Sequence, residues 1–202
     1  MSKDILLEIG TEEIPAHYMP SILSQVKDLA AKKLDAANIT YTSIRSLGTP
    51  RRIALLVAGV AEKQADVSAK NKGPSVKIAF DAEGKPTKAA MGFARGQKIA
   101  VEDLVVEDGY VYANVTTIGA ETAGLLPDIL KDIILSLSFP KSMIWGSQTV
   151  HFVRPLRWLV ALFGTDVIPF SIANVQSGKI SRGHRFLGTG DFEIPSMAAY
   201  VD

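Results

Sequence analysis

Leu104-Val-Val-Glu-Asp-Gly-Tyr-Val-Tyr-Ala-Asn-Val115 is two β-prone runs around Asp108-Gly109. Glycine accepts the positive φ that a tight hairpin turn requires, so the stretch reads as an antiparallel pair. Working back from it, Pro86 opens a helix carrying Ala89, Ala90, Phe93 and Ala94, stopped by Gly96. Residues 61–85 are rich in Lys, Gly, Pro and Ser and read as a long connection with little regular structure. Ile53 to Val60 is a strong apolar strand. Before it lie a Gly48-Thr-Pro50 turn and a weak strand around Tyr41 to Arg45. Ile22, Val26, Leu29 and Leu34 recur at helical spacing from Pro20 to about Asn38, and Asp4 to Gly10 is a buried strand.

Working forward, Leu125, Ile129, Ile133 and Leu137 place a helix over Glu121 to Ser138, with Pro127 in its first turn or bending it. Leu156 to Phe163 and Val167 to Ile172 are apolar runs joined by a second hairpin at Gly164-Thr-Asp166. Met197 to Tyr200 start a further helix, as if the natural chain continued. Strands and helices in this order predict an α+β fold, a mainly antiparallel sheet or sheets with flanking helices.

Composition narrows the function classes. The longest apolar run, Trp158 to Phe163, is far too short to span a bilayer. The amino terminus carries charges inside its apolar stretch and is no signal peptide. The chain has no cysteine, which excludes disulfides and thiolate metal sites. A cytoplasmic protein without a membrane partner is expected. Net charge is only +1, but it is unevenly spread. Residues 45–95 hold ten Lys/Arg against four Asp/Glu, whereas residues 96–140 hold two against seven. Such a swing suits either a basic phosphate-binding face or ordinary solvated surface.

No catalytic or metal-ligating set emerges. Glu13 and His17 are four apart, but Pro15 lies between them and no third ligand is near. Gly84-Lys-Pro-Thr87 fails the phosphate-loop pattern, with alanine at position 79 and proline directly after the lysine. There is no G-x-S-x-G, and only three histidines. The cationic clusters carry more. Arg51 and Arg52 follow a turn and precede a strand. Arg154 and Arg157 flank Pro155 before another strand, and Arg182-Gly-His184-Arg185-Phe186 joins two arginines, a histidine and an aromatic ring. Arginine suits bidentate phosphate contact and base stacking, and a strand entrance can aim it. His184 and Phe186 add possible stacking on an unpaired base. The rival reading pairs these arginines with the acidic 96–140 region.

These clusters sit among motifs that occur together in a known order. Ile9-Gly-Thr-Glu-Glu-Ile-Pro15, Thr49-Pro-Arg-Arg-Ile53, Lys72-Gly-Pro74 and Gly84-Lys-Pro-Thr-Lys-Ala-Ala90 with Gly92-Phe-Ala-Arg95 come first. His151-Phe-Val-Arg-Pro-Leu-Arg-Trp158, Val167-Ile-Pro-Phe170 and Ser181-Arg-Gly-His-Arg-Phe186 follow. The ordered set resembles the amino-terminal region of bacterial glycyl-tRNA synthetase β subunits over nearly the whole chain. One departure is Met143-Ile-Trp-Gly146, where Ile144 stands in place of the family's arginine.

The resemblance implies an α2β2 enzyme whose α subunit holds the active site, with ATP, Mg²⁺ and glycine. It implies no cofactor, catalytic residue or metal in this region, and glycine tRNA and the α subunit as partners. It also implies a module like the editing-type domain of the phenylalanyl-tRNA synthetase β subunit. Two subdomains are expected, about residues 1–62 with 98–140, and 141–202. Tying tRNA or the subunits together is the expected role. A pure scaffold, or a vestigial or active editing hydrolase, is the alternative. Arg51, Arg52, Arg154, Arg157, Arg182, His184, Arg185 and Phe186 are the candidate tRNA contacts.

Overall fold

The computed structural model describes residues 2–81, 83–147, 149–184, 187–188 and 190–201. In chain order the elements are β1 (Ser2–Thr11), α1 (Met19–Ala36), β2 (Ser43–Thr49), β3 (Arg52–Ala61), β4 (Val67–Ser75), α2 (Val76–Ala79) and α3 (Lys88–Gln97). They continue as β5 (Leu104–Glu107), β6 (Tyr110–Thr117), α4 (Thr122–Leu135), β7 (Leu156–Phe163) and β8 (Asp166–Val167). The chain closes with β9 (Ser171–Ile172), β10 (Val175–Gly178), β11 (Ile180–Arg182), β12 (Asp191–Glu193) and α5 (Met197–Val201). The fold is α+β, with mainly antiparallel pairing as expected; β10 on β7 is a parallel pair. No helix among the described residues is long and apolar enough to cross a membrane.

The chain forms two compact units, residues 1–64 with 120–202, and residues 65–119. These limits differ from the division expected at 62, 98 and 140. The reason is the pairing of the 104–115 hairpin. Its second strand, β6, takes β4 as its other neighbour, from Val67↔Thr117 to Ser75↔Tyr110, so the hairpin closes a sheet of order β4-β6-β5 within residues 65–119. The turn itself is as read: Asp108 and Gly109 both have positive φ, 49° and 76°. The structure corrects the reading of residues 61–85 as irregular, because β4 and α2 lie there. Lys70, Asn71 and Lys72 show no apolar alternation, so β4 is held by its ladder and not by a hydrophobic face. A small core of Ala79, Ala90 and Val111 fills this unit. The helix α3 starts at Lys88, with the Thr87 hydroxyl accepting from the Ala89 N–H, and it ends beyond Gly96 at a left-handed Lys98.

The larger unit is built on β1. Its main sheet runs β2-β3-β1-β7-β10-β9, with β8 beside β10 on the edge of β7. Both neighbours of β1 are antiparallel to it. The strand is buried on both faces, which explains its near-continuous apolar run. Ile5, Leu7 and Ile9 face a core completed by α1 and α4. There Ile22, Val26, Ala30 and Leu34 repeat every four residues on α1, and Leu126, Leu130, Ile133 and Ile134 come from α4. Pro20 sits in the first turn of α1, where its missing N–H costs no helical bond. Pro127, by contrast, lies inside α4, five residues past its start. On the opposite face Leu6 packs with Ala54, Leu56, Trp158, Val160 and Leu162, covered by Ile194, Met197 and Tyr200.

Candidate nucleic-acid interface

Three segments far apart in sequence meet because of the β1 ladders. Since β3 and β7 are both antiparallel to β1, they begin at the same end of the sheet. Gly10 stands opposite Arg52 on one side and Trp158 on the other. The Thr49-Pro-Arg-Arg and Arg154-Pro-Leu-Arg segments are the entrances of those two strands. They therefore arrive together where β1 leaves the sheet toward Glu12 and Glu13. The next segment, β11, comes alongside: Arg52 donates from one terminal nitrogen to the backbone oxygen of Arg182 at 2.6 Å.

The centre of this region is a residue that the sequence reading passed over. Glu8 is fully buried on the smaller-core face of β1. A buried carboxylate must find donors, and Glu8 has four. Its Oε1 accepts from the Trp158 indole N–H and from the Ser181 hydroxyl, the latter at 2.5 Å. Its Oε2 accepts from the Arg52 guanidinium at 3.2 Å and from the Tyr200 hydroxyl at 2.5 Å. Burial, and then the nearby Glu8 charge, push the Tyr200 phenol well above its ordinary pKa of 10.0, so the ring stays neutral and donates. One carboxylate thus ties β1 to β3, β7, β11 and α5. The available signal was a single charge within the otherwise apolar run Ile5-Leu-Leu-Glu-Ile9.

Trp158 is the platform. Its indole lies so close over Gly10 that a Cβ there would fall 1.9–2.4 Å from the ring. The guanidinium carbons of Arg51, Arg52 and Arg182 stand over the ring at 5.9, 5.8 and 5.7 Å from its centre.

The candidate arginines are not equivalent. Arg52 is committed to Glu8 and to the Arg182 carbonyl. Arg154 donates to the carbonyls of Glu13 and Val153. Arg157 pairs with Glu12 at 3.1 Å, and Arg182 approaches Asp191 only loosely, at 3.7 Å. The buried Nε–H of Arg51 meets no acceptor among the described residues. Among the described residues the acids that face these arginines are Glu8 within β1, Glu12 just after it and Asp191 on β12, not residues 96–140. There the acidic stretch supplies Glu107 to Lys70 and Asp132 to Lys33 instead. His184 accepts from the Leu187 N–H at 3.2 Å and lines the same clefts as Arg51 and Arg182. Arg185 and Phe186 lie outside the described residues.

Two clefts flank Arg52. One, of about 470 Å³, is walled by Leu47, Ala54, Phe192, Ile194 and Ala199, with Arg182 at its edge. The other, of about 440 Å³, lies between Glu13, Pro50, Arg51 and Trp158. This arrangement presents permanent cations beside apolar walls.

Sequence comparison agrees with the motif order. The model of the family described as glycyl-tRNA synthetase beta subunit matches residues 5–202. A glycine–tRNA ligase beta subunit from Desulfitobacterium hafniense is 50% identical over 99% of this chain and 29% of its own length. One from Bacillus subtilis is 48% identical over 100% of this chain and 30% of its own length. The chain therefore spans about three tenths of the relatives it matches. With a family model covering all but its first four residues, this chain belongs to the glycyl-tRNA synthetase β-subunit family.

Proposed function

We propose that the chain serves glycyl-tRNA synthesis by holding tRNA, with Arg51 and Arg182 as its principal phosphate contacts. The observation that carries this reading is the gathering of three guanidinium groups from separate segments over Trp158. Arg51 and Arg182 retain donor capacity for a phosphate. Arg52 acts as their brace, because Glu8 and the Arg182 carbonyl hold it. Ligation with ATP and Mg²⁺ belongs in this reading to an α subunit in an α2β2 enzyme of the cytoplasm.

The test replaces Arg51 and Arg182 with alanine in the full two-subunit enzyme. Thermal stability, tRNA-independent pyrophosphate exchange, and charging at several salt concentrations are then measured. Stability and exchange stay intact, the KM for tRNA rises, and the log–log salt slope falls by about 0.7–0.9 for each lost contact. Normal charging by both variants refutes the reading. A second reading, subunit assembly, is favoured by the exposed apolar side chains of residues 65–119, Ile78 at 60%, Val106 at 52% and Ile118 at 71%. Charging that falls together with subunit association in Ile78→Ser or Ile118→Ser supports it.

A further inference from the structure

Resting on the tRNA-holding reading, we propose that the cleft between the β2–β3 hairpin and α5 receives one unpaired nucleotide of an RNA strand. Its phosphate lies between Arg51 and Arg182, and its base lies against Leu47 and Phe192.

The physical case begins with the walls. Leu47 and Phe192 are 39% and 50% exposed, yet both line a concave cleft and do not stand out on open surface. The volume, about 470 Å³, falls in the range of sites for small ligands, roughly 300–1,000 Å³. An inorganic anion would leave that apolar wall unused, and an apolar ligand would leave the cations unused. A planar apolar body joined to a monoanionic or dianionic group uses both, and a nucleoside monophosphate unit has that chemistry. Arg182 lines the apolar cleft and also lines a neighbouring one with Arg51 and Gly183, so a phosphate between the two arginines leaves its base at the mouth of the first cleft.

The electrostatics select which cations act. Arg52 separates the clefts, but its charge is matched by buried Glu8. Among the described residues Arg182 is opposed by Asp191 at 3.7 Å, with both side chains about half exposed or more, a pairing that a phosphate displaces readily. Arg51 lines the neighbouring cleft beside Arg182, and its covered Nε–H meets no acceptor among the described residues. A double helix keeps its bases stacked inside, so only an unpaired nucleotide reaches the wall.

The experiment uses the full-length protein and three probes: a short fluorescent single-stranded RNA, the same RNA annealed to its complement, and free AMP. The variants are Ala199→Trp, which fills the cleft, Phe192→Ala, which removes its wall, and Asp191→Asn, which frees Arg182. Single-stranded RNA binds more tightly than the duplex. Ala199→Trp or Phe192→Ala weakens the single strand by about 5-fold to 150-fold, the worth of one base stack, and leaves duplex binding and Tm unchanged. Asp191→Asn tightens it. Phe192→Ala carries the same test from the opposite wall if the tryptophan variant fails to fold.

If both wall variants bind single-stranded RNA normally while Arg51→Ala and Arg182→Ala still weaken tRNA charging, the nucleotide cleft is overturned and the tRNA-holding reading stands. If the arginine variants also charge normally, both fall. AMP binding as tightly as the oligonucleotide overturns RNA as the source of the nucleotide.

Discussion

Glu8 places a charge in the middle of a strand buried on both faces, and its four donors make that tolerable. Removing the carboxylate leaves the Arg52 guanidinium, three-quarters buried, without its counter-charge. Glu8→Ala is expected to lower stability by about 3–5 kcal/mol in urea unfolding, well beyond an ordinary surface change. Tyr200→Phe should cost about 1.5 kcal/mol, the low end for a bond to a charged group because the ring is partly exposed. The pH dependence has a definite sign. Folding raises the phenol pKa above 10.0, so its contribution is fully present below pH 10 and is lost progressively as pH rises from there through the folded value. The stability gap between wild type and Tyr200→Phe should therefore be constant from pH 7 to about 10 and shrink above it; a gap that widens there refutes the assignment. At this scale the sequence was partly legible. The arginine positions stood out because paired cations beside proline at strand entrances break the apolar pattern. Which of them are committed to Glu8, Glu12 or a backbone carbonyl depends on strand order, which no local pattern encodes.

Elements were easier to read where a turn or period is self-contained. The 104–115 hairpin, the Pro20 helix and the strands β1, β3 and β7 each carry their own signal, in glycine, proline or apolar spacing. The strand β4 was missed because its stability comes from a partner more than thirty residues away, and its side chains are mostly exposed. The turn in the hairpin offers a clean measurement. Gly109 has φ 76°, and nothing lies within 4 Å of a Cβ built there. Gly109→Ala then tests backbone conformation alone. It should destabilise residues 65–119 by about 1–2 kcal/mol, read by amide exchange in that unit. Gly10→Ala is the opposite case. The Trp158 ring occupies the space of the new methyl group, so the ring must leave its slot over the sheet. A shift of tryptophan fluorescence toward longer wavelength should accompany a loss of stability; unchanged emission would contradict the packing.

At the scale of the whole molecule, residues 65–119 are an insertion whose entry and exit are adjacent. The Gln64 N–H donates to the Ala120 oxygen at 2.9 Å, and Gln64 Oε1 accepts from the Ala120 N–H at 3.0 Å. Replacing 65–119 with a short Gly-Ser bridge should therefore leave the larger unit folded, with its tryptophan emission and cooperative unfolding retained. Loss of both would show that the insertion is needed to fold the remainder. The sequence suggested two subdomains, but the nested order was not readable, because assignment of the 98–117 segment depends on whether β6 pairs with β4 or with the main sheet.

The position of β1 between β3 and β7 also sets a schedule. One neighbour ends at Ala61, while the other is complete only at Phe163. At roughly 5–20 residues per second, translation leaves the second edge of β1 unpaired for about 5–20 s. Throughout that interval an apolar edge is open to neighbouring nascent chains, and the carboxylate that later anchors four donors is the group that interrupts it. The same side chain that closes the finished sheet thus puts a charge on the half-built one, where a charge opposes pairing of one open edge with another.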